Sequence, residues 1–509
     1  MNLIVTAVLT LTVTTLSGQY RTDAVPATGV KSDTSAVVIT LDDALKIALS
    51  ENVAVKVADK EIERSQYAKK GTYSSLFPQV TGSGSYQRTI KKQIMYMDSD
   101  SGGDDEEGGG GGFGMLSSLA PYFIRINELS AMQGMPLIIP GESESSNSNS
   151  GFAVGRWNTY NAGISAALPL VNPQLWESLR ISGQAVDLAV EKARSSRLDM
   201  VTQVKQAFYA VLLAKEAFNV YKEVYENAVE NFVQTERRYN AEKASELEYT
   251  RAKSVVAGAI PNVYNAESSV MLALWQLKAV MGVDLDRNID VAGALNDYSV
   301  QMFKDIHDND DPSLEYNTTL RQLEIQADQL ASTVKMYKAA YLPTLAASFS
   351  YSMIAMTNDF KFSEYKWSPY SFVGLSLNIP IFTGFKRHYD VQQAKVQAVE
   401  LDLQRIDTER QLRIAIRQYL NTMETNMNSY NAAAEAVDLA RKAYDIAAKS
   451  YKIGKGTITE MNDAQLTLTQ ASLQQSQAVY NFIVAKSNLE KTLGYDFIDD
   501  EGNVDLDNM

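Results

Sequence analysis

Residues 344–379 read TLAASFSYSMIAMTNDFKFSEYKWSPYSFVGLSLNI, and the two ends of that stretch alternate. Leu345, Ala347, Phe349, Tyr351 and Met353 fall on one side of an extended chain, and Thr344, Ala346, Ser348, Ser350 and Ser352 on the other. Past an aromatic loop, Val373, Leu375, Leu377 and Ile379 oppose Phe372, Gly374, Ser376 and Asn378. A period of two marks β-strands. Each strand therefore has one greasy face and one small, polar face. The joining loop, 354–371, carries Tyr365, Trp367 and Tyr370, a residue type that favours a membrane–water boundary. A soluble sandwich would show the same alternation, but the next segment argues against it. Residues 386–453 contain neither Gly nor Pro, and a helix filling them would run about 100 Å at 1.5 Å per residue. Ordinary globular domains do not hold helices of that length, whereas coiled coils and helical tunnels do.

The chain carries this message twice. Leu49, Asn52, Pro78, Ser83, Ser85 and Tyr86 recur as Leu314, Asn317, Pro343, Ser348, Ser350 and Tyr351, each 265 residues on. Gly163, Ser165 and Pro169 recur as Gly374, Ser376 and Pro380 at an offset of 211, and Tyr239, Glu248, Ala252, Leu277, Gly282 and Asp284 as Tyr451, Glu460, Ala464, Leu489, Gly494 and Asp496 at 212. Each copy reads helix, strand, loop, strand, very long helix, turn, return helix. The earlier strands are Val80, Gly82, Gly84, Tyr86 against Thr81, Ser83, Ser85, and Ala162, Ile164, Ala166, Leu168 against Asn161, Gly163, Ser165, Ala167. The expected organisation is a signal peptide at 1–18 and an N-terminal extension at 19–40. A first repeat follows at 41–284 with a long loop at 87–158, then a connector at 285–312, a second repeat at 313–496 and a tail at 497–509. The opening helix of the first repeat is expected to run unbroken towards Pro78, and Pro261 to kink the first return helix.

Composition narrows the function. The 509 residues include no cysteine and two histidines, His307 and His388, and carry a net charge of -14. Thiol chemistry, disulfides and Cys-ligated metals are excluded, and no nucleic-acid partner is expected of so acidic a chain. No metal and no cofactor are expected. The acidic groups Asp308, Asp310 and Asp311, and Asp104 to Glu107, lack the EF-hand spacing and read as solvated loops. The Gly-rich tract Asp98 to Gly114 and the Ser-rich run Ser143 to Gly151 have the composition of a surface loop. No run of 18 apolar residues occurs, so a transmembrane part has to be built of strands.

Four strands in one chain are too few to close a barrel, and open edges in hydrocarbon cost several kcal/mol per unpaired group. Copies of the chain must supply the missing strands; three would give twelve. Here the sequence resembles the TolC-like outer-membrane efflux proteins, from about Leu41 to Asp496. The resemblance rests on LDDALKIALSEN, on LFPQV and YLPTL where helix meets strand, on LPLVNP and IPIFTG where strand meets helix, and on MGVD and TLGYD at the ends of the return helices. It implies a mainly α chain with membrane β, a homotrimer with a 12-stranded outer-membrane barrel, and a long periplasmic α-helical barrel. It also implies a passive, non-enzymatic exit channel. The implied partners are outer-membrane lipid, a periplasmic membrane-fusion adaptor and an inner-membrane pump, proton-driven or of the ABC type. Drug or small-molecule efflux is the leading expectation. Type I protein secretion is an alternative, and a non-channel periplasmic coiled-coil scaffold a further one.

The same resemblance points to the two turns that join long and return helices. Gly454, Lys455, Gly456 and Thr457 match the adaptor-contact turn, and Ala241, Glu242, Lys243 and Ala244 stand at its counterpart, with Glu242 in the place of Gly454. Tyr239, Glu248, Arg251, Tyr451, Glu460 and Asp463 are the expected entrance residues. Symmetry would gather the carboxylates of Glu248, Glu460 and Asp463 into rings that favour cations. Arg251, at the position of Asp463, is expected to pair with a carboxylate across the gate.

Overall fold

The computed structural model describes residues 37–95, 152–303 and 313–495. The expected signal peptide, both loop tracts and the acidic groups at 104–107 and 308–311 lie outside the described residues. The described chain runs β1 (Val37–Ile39), α1 (Leu41–Glu51), α2 (Val53–Ser74), β2 (Gln79–Arg88), β3 (Gln93–Met95), β4 (Phe152–Val154), β5 (Asn158–Val171), α3 (Pro173–Asn240), α4 (Glu246–Met281) and β6 (Ile289–Val291). It continues through a 3₁₀ segment (Leu295–Phe303) to α5 (Thr318–Ala339), β7 (Thr344–Thr357), β8 (Ser368–Asn378), α6 (Lys386–Lys452) and α7 (Ile458–Leu493). No described helix is long and apolar enough to cross a membrane.

Two compact units share these elements, and each draws on both sequence repeats. One, residues 57–195 and 318–411, contains an antiparallel sheet in the order β2-β5-β7-β8. Its register aligns the alternation across all four strands: Val80 faces Ala166, Ala166 faces Phe349 and Phe349 faces Val373. One face is therefore apolar from edge to edge. The other is rich in hydroxyls, with Thr81, Ser165 and Ser350 in one row that ends at Phe372 and the Thr81 and Ser165 hydroxyls 2.8 Å apart. Among the described residues most of the apolar face has no cover, with Val373 80% and Leu375 71% exposed, while Phe362 and Tyr365 pack on Tyr160 at one end. β2 pairs within this sheet only with β5, and β8 only with β7, so each keeps one edge without a strand partner among the described residues. Strand direction alternates across all four strands, so β2 and β8 run oppositely and β8 of one copy can meet β2 of another antiparallel. β3 and β4 prolong the β2–β5 hairpin into the stretch expected to be loop.

The other unit, residues 37–56, 196–317 and 412–495, is built on apolar helix faces. Leu45, Val204, Phe208, Leu277, Phe482 and Leu493 are almost fully buried in one cluster. Within it lies the Lys205–Glu490 ion pair at 3.0 Å. On α4 the buried alanines Ala252, Ala259, Ala266 and Ala273 stand seven apart, and on α7 Ala471, Ala478 and Ala485 do the same. A period of seven demands slightly under-wound helices that coil left-handed, and alanine lets them approach closely.

The opening helix of the first repeat is interrupted. Asn52 sits in extended backbone between α1 and α2, where its side-chain amide donates to the Val280 carbonyl at 2.6 Å and its side-chain oxygen caps the Ala54 N–H at 2.7 Å. Its counterpart Asn317 donates to the Thr492 carbonyl at 2.6 Å. Both carbonyls belong to return-helix ends capped by a left-handed glycine, Gly282 (φ 73°) and Gly494 (φ 74°). A Cβ on Gly282 would come within 2.9 Å of the Glu51 carbonyl oxygen, and one on Gly494 would collide with that of Tyr316. Asn competes with the helix for backbone hydrogen bonds, and that competition wins here because the docked return helix offers an orphan carbonyl. Pro261 lies inside α4, which continues through it as a single helix.

Candidate functional site

The two turns fall in the second unit and share one backbone solution. α3 ends with the Glu242 N–H bonded to the Tyr239 carbonyl at 2.8 Å and the Lys243 N–H to Arg238 at 2.7 Å. α6 ends with the Gly454 N–H on Tyr451 at 3.0 Å and the Lys455 N–H on Ser450 at 2.9 Å. Both terminate in a left-handed residue, Glu242 at φ 58° and Gly454 at φ 76°. Glycine takes that conformation freely and a glutamate does so at a cost of about 1–2 kcal/mol. The substitution of Glu242 for glycine thus leaves the turn intact. Gly456 is also tightly placed, since a Cβ there would lie 3.0 Å from the Ser450 Cβ.

Each return helix starts on a capping box. Ser245 and Thr457 accept from the Glu248 and Glu460 N–H groups, both at 3.2 Å. In return the Glu248 carboxylate accepts from the Ser245 N–H at 3.3 Å, and that of Glu460 from the Thr457 N–H at 3.0 Å. These carboxylates have a local structural task as well as a charge. Asp463, one turn further along, is exposed.

The tyrosines part company. Tyr451 is 2% exposed, in a cluster with Ala252, Ile458 and Met461. Its hydroxyl lies 2.7 Å from that of Thr235, its ring is covered by the Arg238 guanidinium at 5.4 Å, and its carbonyl accepts from that group at 3.5 Å. Tyr239 is 37% exposed and stacks on Tyr249 at 5.0 Å between ring centres. Burial pushes the phenol of Tyr444, packed beside the cluster, above its ordinary pKa. Arg251 contacts Thr459, its guanidinium 3.4 Å from the hydroxyl, so within the chain its described partner is a hydroxyl. Of the expected residues, Gly454, Lys455, Thr457, Ala241, Glu242, Lys243, Glu460, Arg251 and Asp463 are exposed, and Tyr451 belongs to the packing beneath them. Sequence reading missed Thr235 and Arg238, which hold Tyr451; their only signal was their place one turn before the helix end.

The sequence profile of the outer membrane efflux proteins matches residues 141–283 and 311–495. The chain belongs to that family. It is an outer-membrane exit channel by membership, and the family is one of channels and not of enzymes. The outer membrane protein TolC of Escherichia coli (strain K12) is 23% identical over 353 residues, which cover 66% of this chain and 70% of that one. Among solved structures, the CmeC outer membrane channel of Campylobacter jejuni superposes with a TM-score of 0.62 at 17% identity, covering 92% of this chain and 86% of that one. The open state of the Neisseria gonorrhoeae MtrE outer membrane channel gives 0.62 at 16% identity, over 89% and 88%. These likenesses support the fold: a mainly helical chain with a four-stranded contribution to a membrane barrel.

Proposed function

We propose that three copies of the chain close a 12-stranded barrel in the outer membrane, continued by a helical conduit in the periplasm. Together they form the exit duct of a tripartite system that expels drugs or other small molecules. The observation that carries this reading is the sheet: among the described residues most of its apolar face is uncovered and both its edges lack strand partners. Fourteen residues of β7 span about 48 Å at 3.4 Å each. With a strand tilt near 40° they cross an apolar band of about 25 Å with room at both ends. The apolar face meets lipid and the hydroxyl-rich face lines water. In this reading the turns at Ala241–Ala244 and Gly454–Thr457 meet a membrane-fusion adaptor coupled to a proton-driven or ABC-type pump. The channel itself supplies no energy and no catalysis.

The capping boxes give the turns a fixed shape for a partner to read, and Glu248, Glu460 and Asp463 stand on the first turns of the return helices. The test is conductance: purified protein in a planar bilayer gives discrete channels with cation preference. Neutralising Glu460 and Asp463 together moves the reversal potential towards zero, and an unchanged potential removes these carboxylates from the conduction path. Deleting the protein from its host sensitises the cell to toxic small molecules; unaltered sensitivity, with a protein substrate retained inside instead, redirects the reading to secretion.

A further inference from the structure

The sequence repeat reaches the helix contacts of the second unit. Val204, Lys205 and Gln206 on α3 recur as Ile416, Arg417 and Gln418 on α6, at the 212 offset of the turns. At the same offset Gln276, Leu277 and Lys278 on α4 recur as Asn488, Leu489 and Glu490 on α7. Within the chain α3 and α7 meet antiparallel. The Gln206 amide donates to the Asn488 side-chain oxygen at 3.1 Å, and further along Asn227 reaches Gln465 at 3.4 Å. The Lys205–Glu490 ion pair belongs to the same register. The repeat-related pair of helices is α6 and α4, and there the matching amides, Gln418 and Gln276, are both exposed.

Burial follows the same division. On α7, Ser487 is 4% exposed; its counterpart on α4 is Trp275, 51% exposed. On α3, Thr202 is 6% exposed; its counterpart on α6 is Ile414, 65% exposed. Tyr264, Met271 and Leu272 extend the bare stripe on α4. Each exposed face thus follows the plan of a face that is packed elsewhere in the same chain, and a contiguous apolar stripe rimmed by amides marks an interaction surface. The face that complements α4 is that of α6. We propose that α4 of one copy packs on α6 of the next, in the antiparallel register that sets Gln276 against Gln418 as Asn488 is set against Gln206. A head-to-tail contact of this kind closes into a ring. The seam also departs from the internal contact. Where the chain opposes Lys205 to Glu490, the seam brings together two cations, Arg417 and Lys278, and the Lys278 ammonium is turned to the Leu285 carbonyl at 2.8 Å. Trp275, in the place of Ser487, supplies apolar area instead of an ion pair. The inference rests on the reading of the chain as one subunit of a closed ring and adds the helices and register of its seam.

The absence of cysteine from the sequence permits a direct test with introduced thiols in the full-length protein. Gln276→Cys with Gln418→Cys, treated with a short bis-methanethiosulfonate linker, should give a covalent species of three chain masses on a denaturing gel, lost on reduction. Gln206→Cys with Asn488→Cys, the internal counterpart, should close within one chain with no gain in mass. Ser269→Cys with Gln418→Cys, displaced by seven residues or about 10 Å along the helix, should link far more slowly. Co-expressing the Gln276→Cys and Gln418→Cys single variants should give a species of two chain masses. A link between 276 and 418 inside one chain, an absent link beside a closed internal control, or faster linking by the displaced pair overturns the proposal. Native mass spectrometry of the same samples separates the levels: three-chain assemblies without the link refute this seam alone, whereas chains that stay single refute the ring on which it stands.

Discussion

The two helix turns have the same hydrogen bonds, the same left-handed residue and the same capping box, yet opposite tyrosines. Tyr451 is packed under Arg238 and against Thr235, and its equivalent Tyr239 lies near the surface on Tyr249. The two turns share a backbone geometry, which capping and glycine-like conformation dictate, while their side chains differ in role. One turn stands on a buried anchor and the other on an exposed stack.

This contrast can be broken by substitution, with local stability read from amide hydrogen exchange at the turns. Tyr451→Ala leaves a cavity and strips one of the two partners of the Thr235 hydroxyl, which keeps the Asn231 carbonyl, so it should cost about 3 kcal/mol or more. Tyr239→Ala should cost less than about 1 kcal/mol. Equal losses would show that the two turns are anchored alike. Gly454→Ala forces a side chain into the left-handed region and should cost about 1–2 kcal/mol, whereas Glu242→Gly should gain about 1 kcal/mol or slightly less, offset by added chain freedom. The caps are the control: Ser245→Ala and Thr457→Ala should each cost about 1 kcal/mol, and a large difference between them would refute the equivalence of the two backbones. Smallest is Glu460→Gln, expected to lose a few tenths of a kcal/mol of capping and dipole stabilisation while still moving the reversal potential in concert with Asp463.

The strands were legible because their period of two is carried by opposed residue classes, from Thr81/Val80 to Ser376/Leu377, and the observed register keeps every one of those positions on its expected face. The return helices begin at Ser245 and Thr457, each with a glutamate three residues on, and end at Gly282 and Gly494, residue types that mark helix ends in any sequence. The break at Asn52 was not, because apolar spacing continues across it from Ala48 to Val55 and only the distant Val280 carbonyl makes the interruption favourable. The pairing of β1 with β6 was hidden for a related reason: three-residue strands separated by 250 residues leave no periodic trace. At the turns the positions were readable and the burial was not, since nothing local distinguishes Tyr239 from Tyr451; the difference comes from Thr235, Arg238 and Met461 meeting in space.

Strand edges that go unpaired among the described residues of one chain are the root of the account, and stoichiometry tests them most directly. Native mass spectrometry of detergent-extracted, unheated protein should give a single species of three times the chain mass, stable until its strands melt. A detergent-solubilised monomer that is monodisperse and folded, with the β2 and β8 edges protected from hydrogen exchange without any second copy, would contradict it.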